Sequence, residues 1–143
     1  SGQVKEMKDV LDVDGRPFPG TGFAIEPSEG KIYAPFDGQI NFTFGTRHAF
    51  GITSDQGLGM VIHIGIGTVN MRGKGFNAHY TDGEKVKRGQ LLFDFDRDLI
   101  KNAGYQDIIV NFFTEPRRVI AMKNLKPGQH VQHGDPVLDV DFK

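Results

Sequence analysis

The pattern Gly83-x-x-Val86-x-x-Gly89-x-x-Leu92-x-x-Phe95-Asp96 returns as Gly128-x-x-Val131-x-x-Gly134-x-x-Val137-x-x-Val140-Asp141, displaced by 45 residues throughout. A segment that occurs twice in so short a chain restricts the fold more than any single residue does. Its glycines supply backbone conformations with φ > 0 that other residues adopt only under strain, so each copy reads as a hairpin-like corner. The apolar residues between them point to a core that both copies share. The expected fold is therefore all-β, an antiparallel β-sandwich or barrel with an internally duplicated hairpin motif.

The rest of the chain agrees. Short β-favouring runs bounded by Gly, Pro, Asp and Asn recur at 30–34, 39–44, 49–53, 60–66, 90–95, 108–113 and 136–142. Only 97–103 looks helical, with Gly104 placed to stop it, so at most one or two short helical turns are expected. Residues 1–22 end in Pro17, Pro19, Gly20 and Gly22 and read as an extended arm. With 143 residues and no internal linker, 1–143 is expected to be a single domain. Lys plus Arg is 17 and Asp plus Glu is 18, so the net charge of -1 gives no basic footprint for nucleic acid and no polybasic membrane anchor. The absence of cysteine excludes disulfides and thiolate metal sites. No apolar run approaches the roughly 20 residues that cross a bilayer, and nothing at the start has the form of a signal peptide. A cytoplasmic domain without direct membrane insertion is the expectation, and its covalent chemistry must use a residue other than cysteine.

His63 stands in the middle of Met60-Val61-Ile62-His63-Ile64-Gly65-Ile66. Strand alternation puts Met60, Ile62, Ile64 and Ile66 on one face and Val61, His63 and Gly65 on the other. An imidazole in so apolar a strand is partly desolvated, which costs free energy unless the ring is used or hydrogen-bonded. Gly65 would remove a side chain beside the ring and let another molecule approach. Along 40–50 the same alternation groups Ile40, Phe42, Phe44, Thr46, His48 and Phe50. It sets Thr46 and His48 roughly 7 Å apart, where a hydroxyl can orient an imidazole and select its tautomer. The turn-rich Ser54-Asp55-Gln56-Gly57 makes the two histidine strands hairpin neighbours, so both rings could face one pocket. A core histidine held by a hydrogen bond is the competing reading. His79, in a turn-rich stretch, and His130 and His133, three apart on a strand, read as surface residues.

Thr46-Arg47-His48-Ala49-Phe50-Gly51-Ile52-Thr53-Ser54-Asp55-Gln56-Gly57 and Val61-Ile62-His63-Ile64-Gly65-Ile66-Gly67-Thr68-Val69 together resemble the glucose and β-glucoside type of enzyme IIA. That family, part of the bacterial phosphoenolpyruvate-dependent sugar phosphotransferase system, shows T-x-H-A-x-x-I/L-x-S/T-D-x-G and then I/V-H-I/F-G-I/L-D-T-V. The likeness extends to Gly22-Phe23-Ala24-Ile25-Glu26-Pro27, Gly30-Lys31-Ile32-Tyr33-Ala34-Pro35, Asp37-Gly38, Gly73-Lys74-Gly75-Phe76 and Val86-Lys87-Arg88-Gly89, nearly the whole chain. Against a full family domain the start is expected to be clipped. The resemblance implies that His63 takes a phosphoryl group from the phosphohistidine of the carrier HPr and hands it to a cysteine of enzyme IIB. His48 would donate a hydrogen bond to the phosphoryl oxygens, and Thr46 would orient His48. Phe44, Val61 and Val69 would form an apolar docking rim, with Gly65 and Asp12 also at the partner surface. No cofactor is required. Zinc at the His48/His63 pocket, completed by a partner carboxylate or water, is a further expectation, as is regulation of a permease or kinase by direct binding.

Four departures from the family stand out. Gly67 replaces an aspartate expected to meet an arginine of HPr, as the acid corresponding to Asp12 does. Losing such a charge-assisted bond costs about 1–3 kcal/mol. Arg47 replaces the usual Asn, and alternation turns it away from the pocket. Gly59 replaces a common Glu, and 15–19 lacks an expected Phe-Ala pair. Lysostaphin-like zinc peptidases and lipoyl-type carriers share the duplicated architecture. The peptidases, however, need a His-x-His ligand pair, and Gly65 stands where its second histidine would fall.

Overall fold

The structure is a computed structural model describing residues 2–12, 15, 16, 20–43, 45, 48–123, 125, 127–132 and 139–142; for residues 8, 69 and 139 the backbone alone is described. The strands are β1 (Gly2–Glu6), β2 (Gly22–Pro27), β3 (Lys31–Tyr33), β4 (Gly38–Thr43), β5 (Ala49–Ser54), β6 (Gly59–Ile66) and β7 (Phe76–Ala78). They continue as β8 (Lys85–Val86), β9 (Leu91–Phe95), β10 (Gln106–Phe113), β11 (Val119–Lys123), β12 (His130–Val131) and β13 (Asp139–Phe142). An eight-stranded sheet runs in the order β12-β1-β2-β10-β6-β5-β4-β8, and smaller sheets have the orders β3-β9-β7 and β11-β13. All described pairings are antiparallel, so the all-β antiparallel expectation holds.

Alternation along the central strands builds the core. Ile40, Phe50, Ile52, Met60, Ile62 and Ile64 of the large sheet meet Ile32, Phe76, Leu92, Phe93 and Phe95 of the three-stranded sheet. Val119, Val140 and Phe142 pack on the same cluster from the two-stranded sheet. The opposite, outer face of the large sheet carries a smaller cluster of Met7, Val10, Ala24, Ile66 and Val110.

The duplication extends beyond the pattern read in the sequence. Gly83 N–H donates to the Ile40 carbonyl (2.8 Å) and Ile40 N–H to that of Glu84 (2.9 Å). Gly128 N–H donates to the Val4 carbonyl (2.8 Å) and Val4 N–H to that of Gln129 (2.9 Å). The amides of Gln39 and Gln3 donate to the carbonyls of Gly83 and Gly128 at 2.9 and 3.1 Å. Gly38-Gln39-Ile40 thus plays the part of Gly2-Gln3-Val4. Each copy lays a two-residue strand, β8 or β12, along the large sheet and then crosses to a smaller one. The motif is therefore a corner between sheets, turned by Gly83, Gly89 and Gly128 at φ 86 to 88°, and not a closed hairpin.

Three sequence expectations need correction. Residues 2–6 are no arm: β1 pairs with β2 along its whole length and with β12 at its start, with Val4 buried. Chain starting at Met7 then turns over the outer face through a 3₁₀ turn, Met7–Asp9, while Pro17 and Pro19 lie outside the described residues. Further 3₁₀ turns occur at Thr68–Met71 and Pro116–Arg118, so short helical turns exceed the one or two expected. The one α-helix among the described residues, α1 (Arg97–Asn102), starts where the Asp96 carboxylate accepts the Leu99 N–H at 3.0 Å and ends before Gly104 at φ 88°. Among the described residues no helix is long and apolar enough to cross a membrane.

The third correction concerns alternation itself, which fails in two strands. In β6, Gly65 has φ 75° and the register against β10 shifts between Gln106 and Ile109, so Ile66 leaves the face of Met60, Ile62 and Ile64 for the outer cluster. In β4 the register shifts between Ile40, opposite Ile52, and Phe42, opposite Gly51. The extra residue, Asn41, turns Phe42 to the outer face.

Candidate functional site

Directly opposed residues of antiparallel strands share a face. Ala49, His63, Val110 and Ala24 therefore form one row across β5, β6, β10 and β2 on the outer face. His48, the residue before β5, is tied to β6 by the Ile64 N–H, which donates to its carbonyl at 2.6 Å. The two imidazoles meet edge to face, centroids 4.9 Å apart and planes 79° apart. The hairpin argument thus brings the predicted pair together. The alternation argument for His48 does not survive, because His48 itself lies outside both β4 and β5. Phe44, Thr46 and Arg47 lie outside the described residues.

His48 is 9% exposed and His63 half-buried, with its Nδ1 buried. Burial, and after it the neighbouring His48, bring the His63 pKa down to about 4, with a hydrogen bond to the Gly65 backbone partly opposing both. Burial also lowers the His48 pKa. Both rings are consequently neutral near pH 7, and in His63 a lone pair is available for attack. With Nδ1 buried, Nε2 is the nitrogen left to react.

Gly65 does not make room for a visitor. A Cβ there would overlap Thr68 Cγ2 and lie 2.7 Å from the Gln106 carbonyl oxygen, and φ is in the left-handed region. Thr68 is fully buried and its hydroxyl donates to the Ile64 carbonyl, which locks the turn beneath the histidine. Gly67, at φ 80°, also has a backbone reason to be glycine. Gly59 faces the Thr114 hydroxyl, which occupies the space a Cβ would need.

Of the remaining rim candidates, Val61 is 6% exposed and sits one row from His63 on the same face. Val69 belongs to the Thr68–Met71 turn. Asp12 follows Val10 of the outer cluster, and its carboxylate accepts the Arg16 N–H at 3.0 Å to close a turn. Phe42, which alternation groups with Ile40 and Phe50 as well as with His48, parts from those two core residues and stands on the His63 face, and Val110 and Ala24 come from strands too distant in sequence for spacing to reveal. His79 joins Asp94 and is exposed; a 2.9 Å bond from Asn77, and after it the His79 contact, hold the Asp94 carboxyl below its usual range. His130 is exposed and His133 lies outside the described residues. Among the described residues no group of three or more His, Cys, Asp or Glu gathers to hold a metal. His48 and His63 offer two of the four ligands that zinc takes.

A family model for the phosphoenolpyruvate-dependent sugar phosphotransferase system, EIIA 1, matches residues 1–119. Curated relatives include lactose permeases of Lactobacillus helveticus, 56% identical over 142 residues, and Leuconostoc lactis, 46% identical over 143. These matches cover 99% and 100% of this chain but 22% of each relative, so the chain spans about a fifth of their length. Among solved structures, the glucose permease IIA from Mycoplasma capricolum matches with a TM-score of 0.79 and 29% identity, over 96% of this chain and 88% of that one.

Proposed function

The chain belongs to the phosphoenolpyruvate-dependent sugar phosphotransferase system EIIA 1 family, whose members carry phosphoryl groups in sugar uptake, and from that premise we propose that His63 receives the phosphoryl group. The donor is phospho-HPr and the acceptor a cysteine of an enzyme IIB. The observation that carries the reading is the neutral, half-buried imidazole of His63 with His48 4.9 Å away. The Nε2 lone pair attacks phosphorus while the donor's N–P bond breaks and its nitrogen keeps the electron pair. In the onward step a thiolate takes the phosphoryl group and His63 regains its lone pair. Such transfers need positioning and charge stabilisation more than covalent help, and a donor N–H from His48 beside the equatorial oxygens supplies it. An apolar surround of Val61 and Val110 favours exclusion of water that would hydrolyse the phosphohistidine. Thr46 is assigned the orientation of His48, and Phe44 and Val69 complete the rim. Zinc at the two imidazoles would need its remaining ligands from a partner or water. The setting is the cytoplasmic side of the membrane.

A second reading rests on the relatives being permeases in which the matching domain is about a fifth of the protein. In it the phosphorylation state of His63 adjusts a permease of the lactose type, alongside or in place of transfer to enzyme IIB. Both readings need the same modified residue. Phosphoenolpyruvate with enzyme I and HPr should add one phosphoryl group to the wild type, seen by intact mass, and none to His63→Gln. The same adduct on His63→Gln would overturn the assignment.

A further inference from the structure

Phe42 is 39% exposed although Ile40, two residues earlier in β4, is 1% exposed. The extra residue in β4 separates them: the Asn41 amide donates to the Thr53 hydroxyl at 2.6 Å on the outer side, and Phe42 follows onto that side opposite Gly51. Gly51 gives the ring its seat, since a Cβ there would lie 2.6 Å from Phe42 Cε1. Phe42, Gly51, Val61 and Phe112 form the row next to that of His63. Two strand spacings of about 4.8 Å and a two-residue step of about 7 Å separate Phe42 from His63 by roughly 12 Å. A stable protein interface covers about 800 Å² on each partner, a patch of roughly 16 Å radius. A protein that brings a phosphohistidine to His63 therefore also covers Phe42.

We propose that Phe42 is a docking residue for the phosphoryl donor, an aromatic anchor received by an apolar patch beside the carrier's phosphohistidine. The proposal rests on His63 being the acceptor. Exposed aromatic side chains seated on a rigid floor contribute large contact area at little entropic cost and are frequent interface hot spots. Gly67 offers no carboxylate to the carrier, so apolar contact takes a larger share of the encounter here. An anchor of this kind sets affinity for the donor protein and leaves the reactivity of His63 untouched.

The test compares phospho-HPr with phosphoramidate, a small donor that needs no protein docking. Phe42→Ala should raise the KM for phospho-HPr about tenfold at nearly unchanged kcat, while phosphoramidate phosphorylates it at the wild-type rate. Ile120→Ala, a change at a 66% exposed residue of the two-stranded sheet, should alter neither. A KM within twofold of wild type would overturn the proposal, as would equal slowing with phosphoramidate. If Phe42→Ala melts at a lower temperature, Phe42→Leu is held to the same criteria. Phosphorylation of His63→Gln would strike the acceptor assignment instead, so the two failures are distinguishable.

Discussion

Lowering the pH from 7 to 4 should destabilise the domain through His63 in a way that its removal abolishes. In the unfolded chain the imidazole titrates near 6.5, whereas in the folded domain burial and His48 hold it to about 4. Between these values the unfolded chain binds the proton and the folded one does not, so stability rises with pH across the window. The contribution is complete above pH 6.5 and is lost as pH falls toward 4, below which both forms are protonated. At 1.36 kcal/mol per pH unit the interval corresponds to at most about 3 kcal/mol, less to the extent that solvent reaches the half-buried ring. Urea unfolding of the wild type and His63→Gln at closely spaced pH values isolates it, because the other titrating groups largely cancel in the difference. The stability difference should be flat above pH 7, move against the wild type between 6.5 and 4, and be flat again below. A difference constant over the whole range would mean that His63 is not buried as neutral imidazole, and the account of its reactivity would fail with it.

His48→Gln should still accept the phosphoryl group but pass it on slowly, and the His63 ring should titrate at higher pH once the neighbouring imidazole is gone. Proton NMR of the ring reads the second effect, and an unmoved titration would remove His48 from the electrostatics of the site. Gly65→Ala should lose at least about 2 kcal/mol of stability, from left-handed backbone strain and overlap with Thr68 and Gln106. An unchanged melting temperature would restore the sequence expectation that Gly65 simply makes room beside the histidine.

The histidine pair was legible because its evidence is local: two strands joined by a short turn put the rings together whatever the rest of the chain does. Alternation carried the argument correctly through Met60, Ile62 and Ile64 and then failed at Ile66, where the left-handed Gly65 and the β10 register shift break the pleat. It failed again at Phe42. One added residue in a strand leaves no mark in composition, yet it moves every later side chain to the other face. The start of the chain was misread for a different reason. The prolines and glycines of 17–22 suggested an arm, whereas the pairing that makes β1 a strand comes from Ile25 and its neighbours and, from far along the chain, Val131. The repeat at 83 and 128 was visible, but its counterparts at 38 and 2 are too short to stand out before the hydrogen bonds are drawn.

Those hydrogen bonds also govern how the domain meets its own copies. An open antiparallel sheet ends in strands whose free N–H and C=O groups can template pairing with another chain. On β4 and β1 the duplicated corners occupy part of those rows, and β8 and β12, at two residues each, offer little backbone for a further strand to follow. Exposed Lys85 and His130 stand on these terminal strands. A domain finished in this way offers a neighbouring copy little backbone along these two edges on which to extend the sheet.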